Sequence, residues 1–375
     1  MQNFTSEIRD ALRLVLVNGI GPRIRRNLIN YFGSAGKVFE ADPFQLRQVP
    51  EVGGKIISAI LDTPASLVDE QLELCQKHDI RIITDSDPDY PKLMKTMPDA
   101  PGLIFIQGTI TPRDSVSLAV IGTRHASFYG ERQAERLTGE FVRAGFSIVS
   151  GLARGIDGIS HKAALDFGGR TIAVLGHGLG LPPYPREHRS LADRILESGG
   201  ALLSEYPPLR PATAGTFPQR NRLIAGMTLG TVVIEAGAHS GTMLTAQFAL
   251  DYGREVFALP GPVDSRVSTG CHRLIRSGAC LIESVEDVLQ ELGPIHERFP
   301  VHETESVAEM VERPAEIALT DQERKVFETI PKDGATVDQL TQSTAIPVWK
   351  IMTVLTGLEI KRLIKRGAGQ RIYRI

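Results

Sequence analysis

Between about residue 80 and residue 290, short apolar runs alternate with longer amphipathic stretches, and this alternation confines the chain to few architectures. A run that is apolar throughout, rather than at every second position, belongs to a strand buried on both faces. Such strands sit in parallel sheets covered by helices. The strand candidates are 80–84, 103–107, 118–121, 147–149, 172–175, 201–204, 231–234, 256–259 and 279–282, with helices such as 130–143 and 242–251 between them. The expected fold class is α/β, an extended Rossmann-like, doubly wound parallel sheet spanning residues 81–291.

Two different regions flank that sheet. Residues 1–80 read as short helices, with apolar spacing at Ile8, Leu12, Val15 and Leu16. They contain two similar turn-and-helix phrases, Val17-Asn-Gly-Ile-Gly-Pro-Arg23 and Val49-Pro-Glu-Val-Gly-Gly-Lys55. In each, a glycine turn leads into a helix whose first amides can face a phosphate. Two readings stay open here: a helix-hairpin-helix or sterile-alpha-motif-like module, and a small bundle that only packs against its neighbour. Residues 292–318 hold Pro294, Pro300, Pro314 and many glutamates, the composition of a flexible acidic linker. Residues 319–375 read as helices at 321–329, 337–341 and 348–359 followed by a basic hairpin, which is winged-helix-like.

The net charge of −2 argues against a protein that coats nucleic acid through its overall charge, so any phosphate binding must be local. Charge is unevenly spread: residues 345–375 carry seven Lys or Arg against Glu359 alone. No apolar run approaches the roughly 18 residues of a membrane span, and the first ten residues are polar and acidic where a signal peptide would be basic and then apolar. The expected location is cytoplasmic. Cys75, Cys271 and Cys280 lack the spacing of a disulfide framework or zinc site and read as reduced thiols, so no metal and no cofactor is expected.

In an open parallel sheet, ligands bind beyond the carboxyl ends of the strands. Five loops at that edge are rich in Gly, Ser, Thr and Arg: 122–130, 150–157, 176–180, 235–242 and 260–263. Glycine lets backbone approach an anion, and successive amides at a helix start supply donors without a side-chain charge. Candidate contacts are Gly122, Thr123, Arg124 and Ser127 in the first loop, and Gly151, Leu152, Ala153, Arg154 and Gly155 in the second. Ser240, Gly241 and Thr242 open a further helix. Arg124 and Arg154 offer the bidentate charge that phosphate prefers. The segment Phe217-Pro-Gln-Arg-Asn-Arg222 adds Arg220, Asn221, Arg222 and an aromatic ring that is either a core residue or a base-stacking platform. Arg220 and Arg222 lie on nearly opposite sides of a helix, so at most one points directly at a ligand. A run of loops, rather than one pocket, favours a polymeric anion.

Catalytic readings find little support. The strict G-x-G-x-x-G of a dinucleotide oxidoreductase, the P-loop and the G-x-S-x-G elbow are all missing. The alternative of another class is a nucleotide or nucleotide-sugar hydrolase of the lysine-decarboxylase-like Rossmann group. Its glycine-threonine loop compares with 236–242, but Glu235 precedes the loop instead of following on the helix. Asp157 and His161, one helical turn apart, read either as an acid–base pair or as a cap with a structural hydrogen bond. His177 and His239 sit in loops where they either contact phosphate or are ordinary polar loop residues.

The ordered motifs Ala119-Val-Ile-Gly-Thr-Arg124 with Ser127-Phe-Tyr-Gly130, Ser150-Gly-Leu-Ala-Arg-Gly-Ile-Asp157 with His161, Phe217 to Arg222, Ser240-Gly-Thr with Thr245-Ala, and Gly253-Arg-Glu-Val-Phe-Ala-Leu-Pro-Gly261 resemble the DNA-processing protein A (DprA or Smf) family. The match runs through about 80–285, and the flanking regions resemble accessory domains of that family. The resemblance implies a non-catalytic protein that binds and protects incoming single-stranded DNA in natural transformation and loads the RecA recombinase onto it. It also implies a homodimer through the Rossmann-like domain, with Arg124 as phosphate anchor, 151–155 and 240–242 as backbone contacts, and Phe217 beside a base. Thr123 stands where Ser is commoner, which keeps the hydroxyl. Residues 212–216 lack the Lys that often precedes the Phe217 motif, which would leave the basic pocket weaker or reliant on Arg210.

Overall fold

The structure is a computed structural model that describes residues 4–293 and, beyond them, segments between 325 and 374. The chain divides into two compact units, Met1–Val301 and His302–Ile375. The linker expected at 292–318 lies almost entirely outside the described residues.

The first unit opens with six helices: α1 (Ser6–Leu16), α2 (Pro22–Phe32), α3 (Ala35–Glu40), α4 (Pro43–Arg47), α5 (Gly54–Asp62) and α6 (Ser66–Lys77). Their caps are written in the sequence. Thr5 and Ser34 accept amides of the first turn, Asp42 and Gln45 form a reciprocal capping box, and Gly33 ends α2 in the left-handed conformation. Leu14, Leu28, Val38, Leu46, Ile57 and Ile60 close a small core of their own. Leu12, Val68 and Leu72 of α1 and α6 instead share a core with Ile82 and Phe105 of the sheet.

The sheet has nine strands: β1 (Arg81–Thr84), β2 (Leu103–Gly108), β3 (Ser117–Ile121), β4 (Ser147–Ser150), β5 (Thr171–Val174), β6 (Ala201–Ser204), β7 (Gly230–Val233), β8 (Glu255–Ala258) and β9 (Cys280–Leu281). All nine expected strands are present, in the order β1-β2-β6-β5-β4-β3-β7-β8-β9. Seven form the expected parallel, doubly wound sheet, and at one edge β2 pairs antiparallel with β6 and β1 antiparallel with β2. Between β1 and β2, among the described residues, the connection carries only the four-residue α7 (Lys92–Lys95), too short to cover a face of the sheet. A parallel neighbour needs a crossover of a dozen or more residues, usually a longer helix, to cover a face.

Helices α8 (Phe128–Arg143), α9 (Ile156–Asp166), α10 (Arg189–Glu197), α11 (Thr216–Gly226), α12 (Gly241–Asp251), α13 (Thr269–Arg276) and α14 (Val285–Leu292) cover the two faces. Alternation along β3 shows the division. Leu118 and Val120 pack with Phe141 of α8, Ile156 of α9 and Val288 of α14, while Ala119 and Ile121 pack with Leu223 of α11, Ala246 of α12 and Cys271 of α13. From β3 the chain winds outward through β4 and β5 to β6, then returns to β7 on the other side. The topological switch point, where an open crevice forms, therefore lies beyond the ends of β3 and β7.

In the second unit, α15 (Val337–Thr344) and the antiparallel pair β10 (Ile364–Arg366) and β11 (Ile372–Arg374) are described. Val326, Ile330, Leu340, Ile351, Leu355 and Ile372 form its core. The helix expected at 337–341 and the basic hairpin are thus present. Among the described residues, no helix of the chain is long and apolar enough to cross a membrane.

Candidate functional site

At the switch point three loops lock onto one another through backbone. The Thr123 amide donates to the Glu235 carbonyl at 2.7 Å, the Thr123 carbonyl accepts the Ile156 amide at 3.2 Å, and the Thr242 hydroxyl donates to the Gly122 carbonyl at 3.0 Å. Two glycines make this approach possible. A Cβ on Gly122 would stand 2.5 Å from the Ile156 side chain, and one on Gly155, whose φ is +69°, would stand 2.2 Å from the Thr123 oxygen. Arg124 emerges from this knot exposed to solvent, with its guanidinium carbon 5.7 Å from the centroid of the Phe217 ring. Among the described residues no carboxylate pairs with it.

Donors without partners cluster around it. Among the described residues, the amides of Arg154 and Gly155 have no acceptor in the chain, nor do those of Gly241 and Thr242 in the first turn of α12. The hydroxyl of Ser240, at the N-cap of α12, is buried and also unpartnered. Asn221 donates to the Gly241 carbonyl at 3.4 Å and ties α11 to this helix start.

Other predicted residues serve the scaffold. Ser127 caps α8, accepting the Gly130 amide at 3.1 Å. Its own amide and hydroxyl donate to the buried Glu235 carboxylate at 3.0 and 2.5 Å. Arg220 is buried beneath the rim, where it donates to the Gly151 carbonyl at 2.5 Å and to the Val174 carbonyl. Burial pulls its guanidinium down to about 10, an effect that the neighbouring Asp157 opposes. Asp157 in turn accepts the Gly151 amide at 3.2 Å. Arg222 points away from the rim, donating to the Asp99 carbonyl at 2.7 Å and to the Glu205 carboxylate. Arg154 is exposed but held by Glu187, its Nη2 lying 2.9 Å from Oε2 and its Nε donating to Oε1.

Leu152 is fully buried, with φ +55°, and its amide donates to His161 Nε2 at 3.3 Å. His161 Nδ1 then carries the proton and faces the Thr171 hydroxyl at 2.6 Å. Burial drives this imidazole down to about 3, so it is neutral. It is a loop-positioning residue with no access to a substrate.

Sequence reasoning missed Tyr184, whose exposed ring lies 5.5 Å from that of Phe217 at 44°, which makes a two-ring surface next to Arg124. His177 fixes it: buried, it accepts the Tyr184 amide on Nε2 at 3.2 Å and donates from Nδ1 to the Gly178 carbonyl at 2.9 Å. The sequence sign was an aromatic in the proline-rich stretch 182–185 directly after a glycine loop. The rim thus unites Gly122 to Arg124, Arg154, Gly155, Phe217 and Ser240 to Thr242, while Ser127, Leu152, Arg220 and Arg222 lie behind it or turn away.

Fold and rim together define a doubly wound α/β protein whose sheet edge carries unpartnered backbone amides, an exposed guanidinium and aromatic faces. Residues 81–293 match the family model for DNA recombination-mediator protein A, and residues 311–370 match that for the DprA winged helix domain. Protein Smf of Synechocystis is 32% identical over 96% of both chains, and Protein Smf of Escherichia coli is 38% identical over 82% of this chain and 81% of that one. The solved structure of DNA processing protein A from Streptococcus pneumoniae covers 77% of this chain and 99% of its own, with 31% identity and a TM-score of 0.65. That of Helicobacter pylori DNA processing protein A, reported for its unique single-stranded DNA binding mode, covers 57% of this chain and 95% of its own, with 27% identity and a TM-score of 0.51. The chain belongs to the DprA/Smf family.

Proposed function

We propose that this protein binds single-stranded DNA along the rim of its sheet and does so without a catalysed step. The observation that carries the reading is Arg124, solvent-exposed and without an acidic partner among the described residues, set beside the Phe217 ring and amide donors that have no acceptor. A phosphate accepts from the guanidinium and the amides, and an unpaired base lies on Tyr184 and Phe217, a surface that suits any base. Duplex DNA keeps its bases stacked inside and offers nothing to those rings. The hydrolase alternative loses ground because Glu235, the carboxylate that directly precedes its glycine-threonine loop, is buried and committed to Ser127 at the start of α8. The wider role is a reading from the family: protection of incoming DNA in natural transformation and loading of RecA, by a cytoplasmic homodimer formed through the Rossmann-like domain.

The test is a titration of labelled oligonucleotide into wild type and Arg124→Ala at several salt concentrations. A hydrogen bond to a charged group is worth about 1.5–3 kcal/mol, so affinity falls roughly 10- to 150-fold. The salt slope falls by about 0.7 for one lost phosphate contact on a single strand. Unchanged affinity and slope would remove Arg124 from the interface.

A further inference from the structure

Adjoining the rim, and sharing Arg124 and Gly155 with it, lies a cavity of about 520 Å³. Its volume falls within the roughly 300–1,000 Å³ of sites that enclose small ligands. It opens between the β3 loop, the exposed face of α9 and the start of α10, and its walls differ in chemistry. Ile159 and Leu191, both half-buried, are its apolar wall, while exposed Arg124, His125 and Lys162 line it together with two carboxylates, Glu131 on α8 and the Arg154-paired Glu187. Ile159 and Lys162 are three residues apart on α9 and so share one face of it. Gly158 lets the His188 ring close the bottom, because a Cβ there would stand 2.5 Å from that ring, which is itself held by the Leu152 carbonyl at 2.9 Å. The neighbouring cations differ in availability. Arg154 is taken by Glu187 and Arg194 by Asp166, whereas Lys162 is exposed and unpaired among the described residues.

Resting on the reading of the rim as a single-strand site, the geometry points to this cavity as the next nucleotide subsite along the strand. One base lies on Ile159 and Leu191, and its flanking phosphates sit between Arg124 and Lys162. The strand therefore turns from the Tyr184–Phe217 surface, over Arg124, onto the α8–α9–α10 side of the sheet. An apolar wall flanked by Arg124 and Lys162 suits a base with its phosphate, with Glu187 already neutralised by Arg154 and Glu131 set on the α8 side; a bare phosphate would leave that wall unused.

The experiment measures binding of the full chain to labelled oligothymidylates of about 20 and about four nucleotides, and to thymidine monophosphate, a length range that brackets single-strand sites. Lys162→Glu is expected to weaken the longer strand about tenfold more than the shorter one, and Lys162→Arg to restore it. Equal losses at both lengths, or none at either, would overturn the subsite. So would thymidine monophosphate binding as tightly as the longer strand and losing affinity in Lys162→Glu, which assigns the cavity to a free nucleotide. Wild type that binds neither oligonucleotide refutes the single-strand reading itself. Wild type that binds and is weakened by Arg124→Ala but not by Lys162→Glu removes the subsite alone.

Discussion

Replacing Gly155 by Ala tests whether the rim depends on backbone packing or only on its charges. Gly155 has φ +69° and ψ −132°, a region that side-chain-bearing residues avoid, and a Cβ there would lie 2.2 Å from the Thr123 oxygen and 2.9 Å from Cα of Arg124. Gly168, at the end of α9, has φ +70° but open space where its Cβ would point. The pair separates conformational strain from steric overlap. A residue forced into positive φ costs of order 1–3 kcal/mol, and overpacking against backbone that cannot yield adds roughly 1–3 more. Gly168→Ala is therefore expected to lose about 1–2 kcal/mol and Gly155→Ala about 3–5 kcal/mol. At about 2–4 °C per kcal/mol for a unit of this size, Tm falls by roughly 6–20 °C in the second variant. The β3 loop must move to admit the methyl group, so oligonucleotide affinity falls as well, whereas Gly168→Ala retains it. Urea denaturation and fluorescence anisotropy on both variants read the two effects. Equal destabilisation by the two substitutions, with affinity intact in both, would refute the claim that close backbone contact positions Arg124.

Other outcomes follow from the same geometry. Glu187→Gln releases Arg154 and removes a negative charge beside the cavity; because the pair is exposed, the expected gain in oligonucleotide affinity is only about two- to fivefold, read by anisotropy. Arg222→Ala strands the Glu205 carboxylate, whose side chain is only 11% exposed, and should cost about 3–5 kcal/mol in urea denaturation, while the folded fraction keeps its affinity for DNA. His161 is held neutral down to about 3 in the folded protein but titrates near 6.5 when unfolded. Between those values the unfolded chain binds the extra proton, so stability falls as pH falls, by up to about 1.4 kcal/mol per unit below pH 6.5. Chemical denaturation at pH 7, 6 and 5 should show this slope in wild type and a shallower one in His161→Asn.

The strands and the glycine-rich edge were legible because each follows from a local property of the chain. Apolar runs such as 118–121 and 231–234 can be satisfied only in a sheet covered on both sides, and the switch-point loops begin where those runs stop. The exposed place of Arg124 on that edge was legible for the same reason, since it stands two residues after Gly122, where a central strand ends. What no local property encodes is which way a side chain turns once distant segments meet. Arg220 and Arg222 have the same composition and nearly the same address, yet one props up the Gly151 and Val174 carbonyls and the other neutralises Glu205. Those partners come from other strands and loops. The antiparallel edge formed by β1 and β2, the pairing of Tyr184 with Phe217 and the cavity around Lys162 were likewise settled only by tertiary packing. A sequence places donors along a chain, but burial and distance, which decide whether a charge is spent on the protein or left for a ligand, exist only after the chain has folded.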